Sequence, residues 1–172
     1  IRGEPLSAKA GSYVLPVHAS VRQILEHLQD GQGALERITV LQGWTLSQMR
    51  QAINASHPLV HEWRALDDAA LMTALGEQGV AAEGRFYPDS YRFAAGSSDR
   101  RLYELAWQRM HERLQQEWAA RAPDLPVASA REALILASIV EKETGREDER
   151  ERVAAVFINR LRIKMRLQSD PT

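Results

Sequence analysis

Residues 129–172, SAREALILASIVEKETGREDERERVAAVFINRLRIKMRLQSDPT, constrain this chain more than any other stretch. Ser129-Ala130-Arg131-Glu132 has the form of a capping box, in which a serine hydroxyl and a glutamate side chain satisfy reciprocal orphan amides. It opens an almost wholly apolar run that ends in Glu141, Lys142 and Glu143. The spacing predicts a helix over 130–144, closed by Gly145 in the left-handed conformation. At about 100° per residue, Leu136, Ile139, Val140 and Glu143 share one stripe, and Glu141 points roughly 160° away from Glu143, beside Leu134, Ala137 and Ser138. A carboxylate continuing an apolar stripe is expected to be partly desolvated, and it sits at the negative end of the helix dipole. Both effects favour the protonated form that a general acid needs. Glu143 is therefore the stronger catalytic candidate. A structural glutamate paired with Lys142, Arg146 or an arginine of the next helix is the competing reading.

The following segment, 147–162, carries acids first and bases last, as a helix dipole favours. Val153, Val156, Phe157 and Leu161 form its core stripe, and Arg160, Arg162, Lys164 and Arg166 follow. The acids of 147–151 alternate with arginine and lack the oxygen-ligand spacing of a calcium loop, so no metal is expected. The 172 residues contain no cysteine, which excludes disulfides and thiolate zinc sites. A net charge of −1 argues against a nucleic-acid partner, including one bound through Arg160 to Arg166. No run of about 18 apolar residues exists to span a bilayer. The chain begins at Ile1 and ends at Thr172 as a piece of something longer would.

Upstream, 9–15 reads as a glycine turn entering a short strand. Ser20 caps a helix with apolar positions Val21, Ile24, Leu25 and Leu28, stopped by Asp30-Gly31 and Gly33. Residues 35–41 alternate as a strand, Gln42-Gly43-Trp44 turns, and Thr45 with Gln48 forms a capping box before Leu46, Met49 and Ile53. This order is similar to the first half of a LysM module, a unit associated with N-acetylglucosamine-containing glycans; on these residues alone an ordinary β-turn-α unit is the favoured reading. A helix over 65–75 follows, with Asp67 and Asp68 at its start and Gly76 and Gly79 after it. Phe86, Tyr87, Tyr91 and Phe93 cluster around the turn Pro88-Asp89-Ser90, where aromatic faces fill a core or stack on sugars; the core reading is favoured. Ser98 or Asp99 caps a long helix to about residue 120, and Pro123 and Pro126 make a rigid linker. The elements give an α+β fold, mixed at first and nearly all helix afterwards, divided into 1–80 and 81–172.

ASIVEKET at 137–144, RVAAVFINRL at 152–161 and MRLQSDPT at 165–172 closely resemble the endolytic murein transglycosylases, the MltG/YceG-like family. KAGSY at 9–13, QGWTL at 42–46 and FYPDSY at 86–91 agree in order, so the resemblance runs over essentially the whole chain. It implies a LysM-like module over 1–80 and a partial, lysozyme-like helical catalytic region over 81–172. In such enzymes the catalytic acid precedes a serine or threonine at the end of a buried helix, which Glu143-Thr144 matches; Glu141 is the runner-up. The resemblance further implies cleavage of muramyl-glucosaminyl bonds in nascent peptidoglycan strands to 1,6-anhydromuramyl ends, terminating glycan elongation without a cofactor. By position in the matching motifs, Gln168 and Asn159 are candidates to stabilise the oxocarbenium-like state. Phe157, Tyr87 and Tyr91 are candidates to border the glycan groove, and Glu141 to support it. Peptidoglycan synthases are candidate partners. The implied location is the periplasmic face of the inner membrane, through an anchor that this chain lacks. The alternative is a non-catalytic glycan-binding scaffold of the cell wall.

Overall fold

The computed structural model describes residues 17–30 and 35–167. The turn and strand expected over 9–15 and the glycines at 31 and 33 lie outside them. Helix α1 (Val21–Asp30) leads to strand β1 (Leu35–Thr39), helices α2 (Leu46–Asn54) and α3 (Asp68–Ala74), and strand β2 (Ser90–Ala94). Helices α4 (Asp99–Ala119), α5 (Ala130–Glu143) and α6 (Arg150–Arg162) complete the chain, with a 3-10 turn at Glu147–Glu149 before α6. The fold is α+β, as the element count implies.

The helix starts are local chemistry. Thr45 and Gln48 form both halves of the expected capping box on α2. The Glu83 carboxylate adds to it by accepting from the Leu46 amide at 3.1 Å. Asp67 caps α3 by accepting from the Ala70 amide at 2.7 Å. Helix α3 ends on Gly76, whose φ of +85° lets the Glu77 amide reach the Met72 carbonyl at 2.8 Å. A side chain other than glycine or asparagine would be strained there.

Strand β2 is the element the sequence pattern does not announce. It pairs antiparallel with β1, from Leu35 opposite Ala94 to Thr39 opposite Ser90. Its alternation sends Tyr91 and Phe93 into the core, where Ile38 of β1 joins them, and leaves Ser90 and Arg92 outside. The Thr39 and Ser90 hydroxyls meet across the strands at 2.9 Å. This pairing joins the two sides of the division expected at residue 80. The core it closes also takes in Leu102, Tyr103 and Ala106 from the first half of α4.

A buried carboxylate ties that half of α4 to the loop at 58–63. Asp99 is fully buried, and its Oδ1 accepts from the amides of Glu62 at 2.9 Å and Trp63 at 3.1 Å. Its own amide donates to the Val60 carbonyl at 2.9 Å. Trp63 then stacks on Tyr103 with ring centroids 6.1 Å apart. Beyond Ala106, α4 has no fully buried residue, although Trp107 still packs against the core; α5 packs against α4 and α6 packs on α5.

Two measurements check this core. Asp99→Ala removes the acceptor of two part-buried backbone amides and should cost about 3 kcal/mol in urea unfolding, with Asp99→Asn costing less; a loss under about 1 kcal/mol for Asp99→Ala contradicts the tie. Burial pushes the phenols of Tyr91 and Tyr103 from 10.0 up to about 12. Above the ordinary value the unfolded chain releases protons that the folded chain keeps. Stability from these two groups is thus complete below pH 10.0 and is lost as pH rises through about 12. Tyrosinate absorbance and the unfolding midpoint, followed together through that window, should show two late-titrating phenols; uniform titration near the ordinary value contradicts it.

Candidate active site

Helix α5 begins as expected on Ser129, whose hydroxyl accepts from the Glu132 amide at 3.2 Å. The reciprocal half of the box is displaced by one residue, because the Glu132 carboxylate accepts from the amide of Ala128, at 2.7 Å, instead of that of Ser129. The far end also differs from expectation. Gly145 does not take the left-handed conformation; Thr144 ends the helix in an extended one, with φ −143° and ψ 126°. A β-branched residue suits extended backbone. The hydroxyl of this buried threonine accepts from the Arg146 amide at 3.1 Å and donates to Glu149 Oε2 at 3.2 Å. A side-chain turn therefore replaces the glycine cap.

The two glutamates are placed opposite to what the apolar stripe suggests. Glu143 is exposed, while Glu141 is half-buried. Of the stripe, Val140 is buried, but Leu136 and Ile139 line an open apolar groove of about 190 Å³ with Pro126, Val127, Leu161 and Leu167. Glu143 itself is exposed, so the burial that the stripe predicts does not reach it. Glu141 meets the start of α6 instead, where Arg150 Nη2 lies 2.9 Å and 3.3 Å from its two carboxylate oxygens. The salt-bridged structural glutamate is thus Glu141, not Glu143.

The other candidates divide between the two halves of the molecule. Phe157 is buried in the helical pair, with the Arg160 guanidinium 5.9 Å from its ring centroid, so it fills the core stripe and does not border a groove. Asn159 is exposed on α6. Gln168 lies outside the described residues. Tyr91 is buried in the first core, its hydroxyl donating to the Tyr87 carbonyl and Arg109 lying over its ring at 5.3 Å, so it too is unavailable to a glycan. Tyr87 is half-buried, and its amide donates to Ala106 of α4 at 3.0 Å. Around the end of α5 the structure assembles Glu141, Thr144, Arg146, Glu149 and Arg150. The pairing with an arginine of the next helix was expected, as the competing reading, of Glu143, and it falls to Glu141. Among the described residues no group of three or more His, Asp or Glu side chains is arranged to hold a metal ion, and no helix is long and apolar enough to cross a membrane.

Comparison with known proteins gives a consistent relation. The YceG-like family profile matches residues 2–172. An endolytic murein transglycosylase of Streptococcus pneumoniae is 25% identical over 198 residues, covering 94% of this chain and 34% of the relative. An endolytic murein transglycosylase of Bacillus subtilis is 46% identical over 44 residues, or 26% of this chain and 12% of that protein. The crystal structure of a YceG-like protein from Listeria monocytogenes superposes with a TM-score of 0.56 at 25% identity, covering 95% of this chain and 60% of that one. This chain thus spans about a third of the length of its Streptococcus pneumoniae relative.

Proposed function

The chain belongs to the YceG-like family, and from that premise we propose that it carries the acid-bearing part of an endolytic peptidoglycan lytic transglycosylase. The observation that carries this reading is the contrast between its two glutamates. Glu141 is engaged by Arg150, whereas Glu143 stands exposed at the end of α5, next to the Thr144 that terminates the helix. An exposed carboxylate on a turn can meet a polymer that no closed pocket would admit.

In this reading Glu143 protonates the glycosidic oxygen between N-acetylmuramic acid and N-acetylglucosamine, and the bond from that oxygen to muramyl C1 breaks. The resulting carboxylate then takes the proton of the muramyl 6-hydroxyl as O6 closes onto C1, giving the 1,6-anhydro end. Glu143 finishes protonated, as it began, and no water is consumed. One carboxylate therefore serves both steps, unlike the two-carboxylate arrangement of ordinary glycosidases. Asn159, exposed on α6, and Gln168 are the proposed stabilisers of the oxocarbenium-like state.

Two further assignments belong to the same reading. The order β1-α2-α3-β2, with its antiparallel pair, is proposed to be a LysM-like glycan-binding unit. The pairing of β2 with β1 supports extending the proposed unit from residue 80 through residue 94. The helices after it are the proposed lysozyme-like region. Location at the periplasmic face of the inner membrane, and peptidoglycan synthases as partners, follow only from the family and are proposed with it.

The test is digestion of purified peptidoglycan by the full-length protein, with muropeptides resolved by mass. Anhydromuramyl ends should accumulate, and Glu143→Gln should lower their rate of formation by roughly a hundred- to ten-thousandfold. Full activity in that variant removes Glu143 from the mechanism. Strand binding without cleavage by the unmodified protein supports the scaffold alternative.

A further inference from the structure

The residues on either side of Glu143 are both tied to the start of α6, while Glu143 itself has no hydrogen-bond or ion-pair partner among the described residues. Before it, both Glu141 oxygens are held by Arg150 Nη2, at 2.9 Å and 3.3 Å. After it, the Thr144 hydroxyl accepts from the Arg146 amide at 3.1 Å and donates to Glu149 Oε2 at 3.2 Å. The other oxygen of Glu149 lies 3.5 Å from Arg146 Nη1. Glu149 and Arg150 are neighbours at the junction of the 3-10 turn and α6, so one rigid corner grips the chain on both sides of the glutamate.

Stability alone does not explain such an arrangement. The Glu141 and Arg150 side chains are 40% and 35% exposed, and a pair so wetted adds at most about 1 kcal/mol to folding. The helices already pack through buried Val140 and Phe157. What the two ties do is prevent fraying of the last turn of α5, the usual fate of an exposed helix end. A general acid displaced by about 1 Å loses on the order of a hundredfold in rate, so the turn that carries it is where ties matter most.

We infer that Arg150 and Glu149 are positioning residues: acting through Glu141 and Thr144, they hold the turn that presents Glu143 to the glycan. The inference rests on the reading of Glu143 as the acid. It adds two residues that touch neither substrate nor reacting atoms.

The test uses the full-length protein and two readouts, steady-state cleavage of glycan strands and amide exchange at residues 143–146. Arg150→Met, which keeps the aliphatic stem, should lower kcat by about ten- to a hundredfold with KM nearly unchanged. It should also speed exchange over 143–146 while leaving the unfolding midpoint in place. Glu141→Arg combined with Arg150→Glu should recover much of the lost kcat. Thr144→Ser should behave as the unmodified protein, and Thr144→Val should resemble Arg150→Met. An unchanged kcat in Arg150→Met, with Glu143→Gln inactive, overturns the positioning role and leaves the reading of Glu143 standing. Unaltered exchange at 143–146 also overturns the positioning role. Full activity of Glu143→Gln overturns the reading of Glu143, and this inference with it.

Discussion

The pairing of β1 with β2 is the constraint on which the rest of the structure depends. Thr39 and Ser90, 51 positions apart in the sequence, meet across the strands. A two-stranded sheet is marginal on its own and must bury one face to persist. Here Ile38, Tyr91 and Phe93 provide that face, and α2, α3 and the first half of α4 cover it. The long loop therefore closes only because α4, which follows β2 at once, brings Leu102, Tyr103 and Ala106 into the same core. Asp99 makes the junction rigid by binding the backbone of the 58–63 loop at the point where α4 starts.

Helix α4 then acts as a strut. Its 21 residues rise about 30 Å, enough to enter one core and leave it for another. The second core is thin: Val140 and Phe157 are its buried apolar side chains among the described residues. With little apolar burial to fix the end of α5, polar contacts set the geometry there. Thr144 turns the chain, Glu149 receives its hydroxyl, and Arg150 reaches back to Glu141. The chemistry proposed for Glu143 thus sits where packing is weakest and directional bonds do the positioning.

What sequence makes legible here is what is local. The caps at Thr45, Ser98 and Ser129 all form, because each needs only a side chain and an amide two or three residues on; Asp67, expected inside a helix over 65–75, instead caps the shorter α3. Strand β2 escapes notice because five residues beside a proline turn show too short an alternation, and its partner lies far back in the chain. Asp99 reads as an ordinary helix-start acid, while its real partners, the Glu62 and Trp63 amides, are set by tertiary folding. At the site, the helical wheel puts Glu143 on the apolar stripe but says nothing of what covers that stripe, and Glu143 is exposed. Leu136 and Ile139 of the same stripe face an open groove, so the stripe does not carry burial to its end. Gly145 after Thr144 suggests a left-handed cap, and the threonine's own side-chain turn prevails. The Arg150 partner of Glu141 shows no local spacing signal, because it depends on how the corner folds back.

The proposed chemistry uses a single exposed carboxylate, Glu143, first as acid and then as base toward the substrate's own hydroxyl. Digestion of glycan strands by the full-length protein in water labelled with heavy oxygen tests this most directly. Closure by the muramyl 6-hydroxyl leaves no labelled oxygen at C1 of the new ends. Label at that carbon would mean that water attacks it, and that the fold performs an ordinary hydrolysis with a second catalytic group.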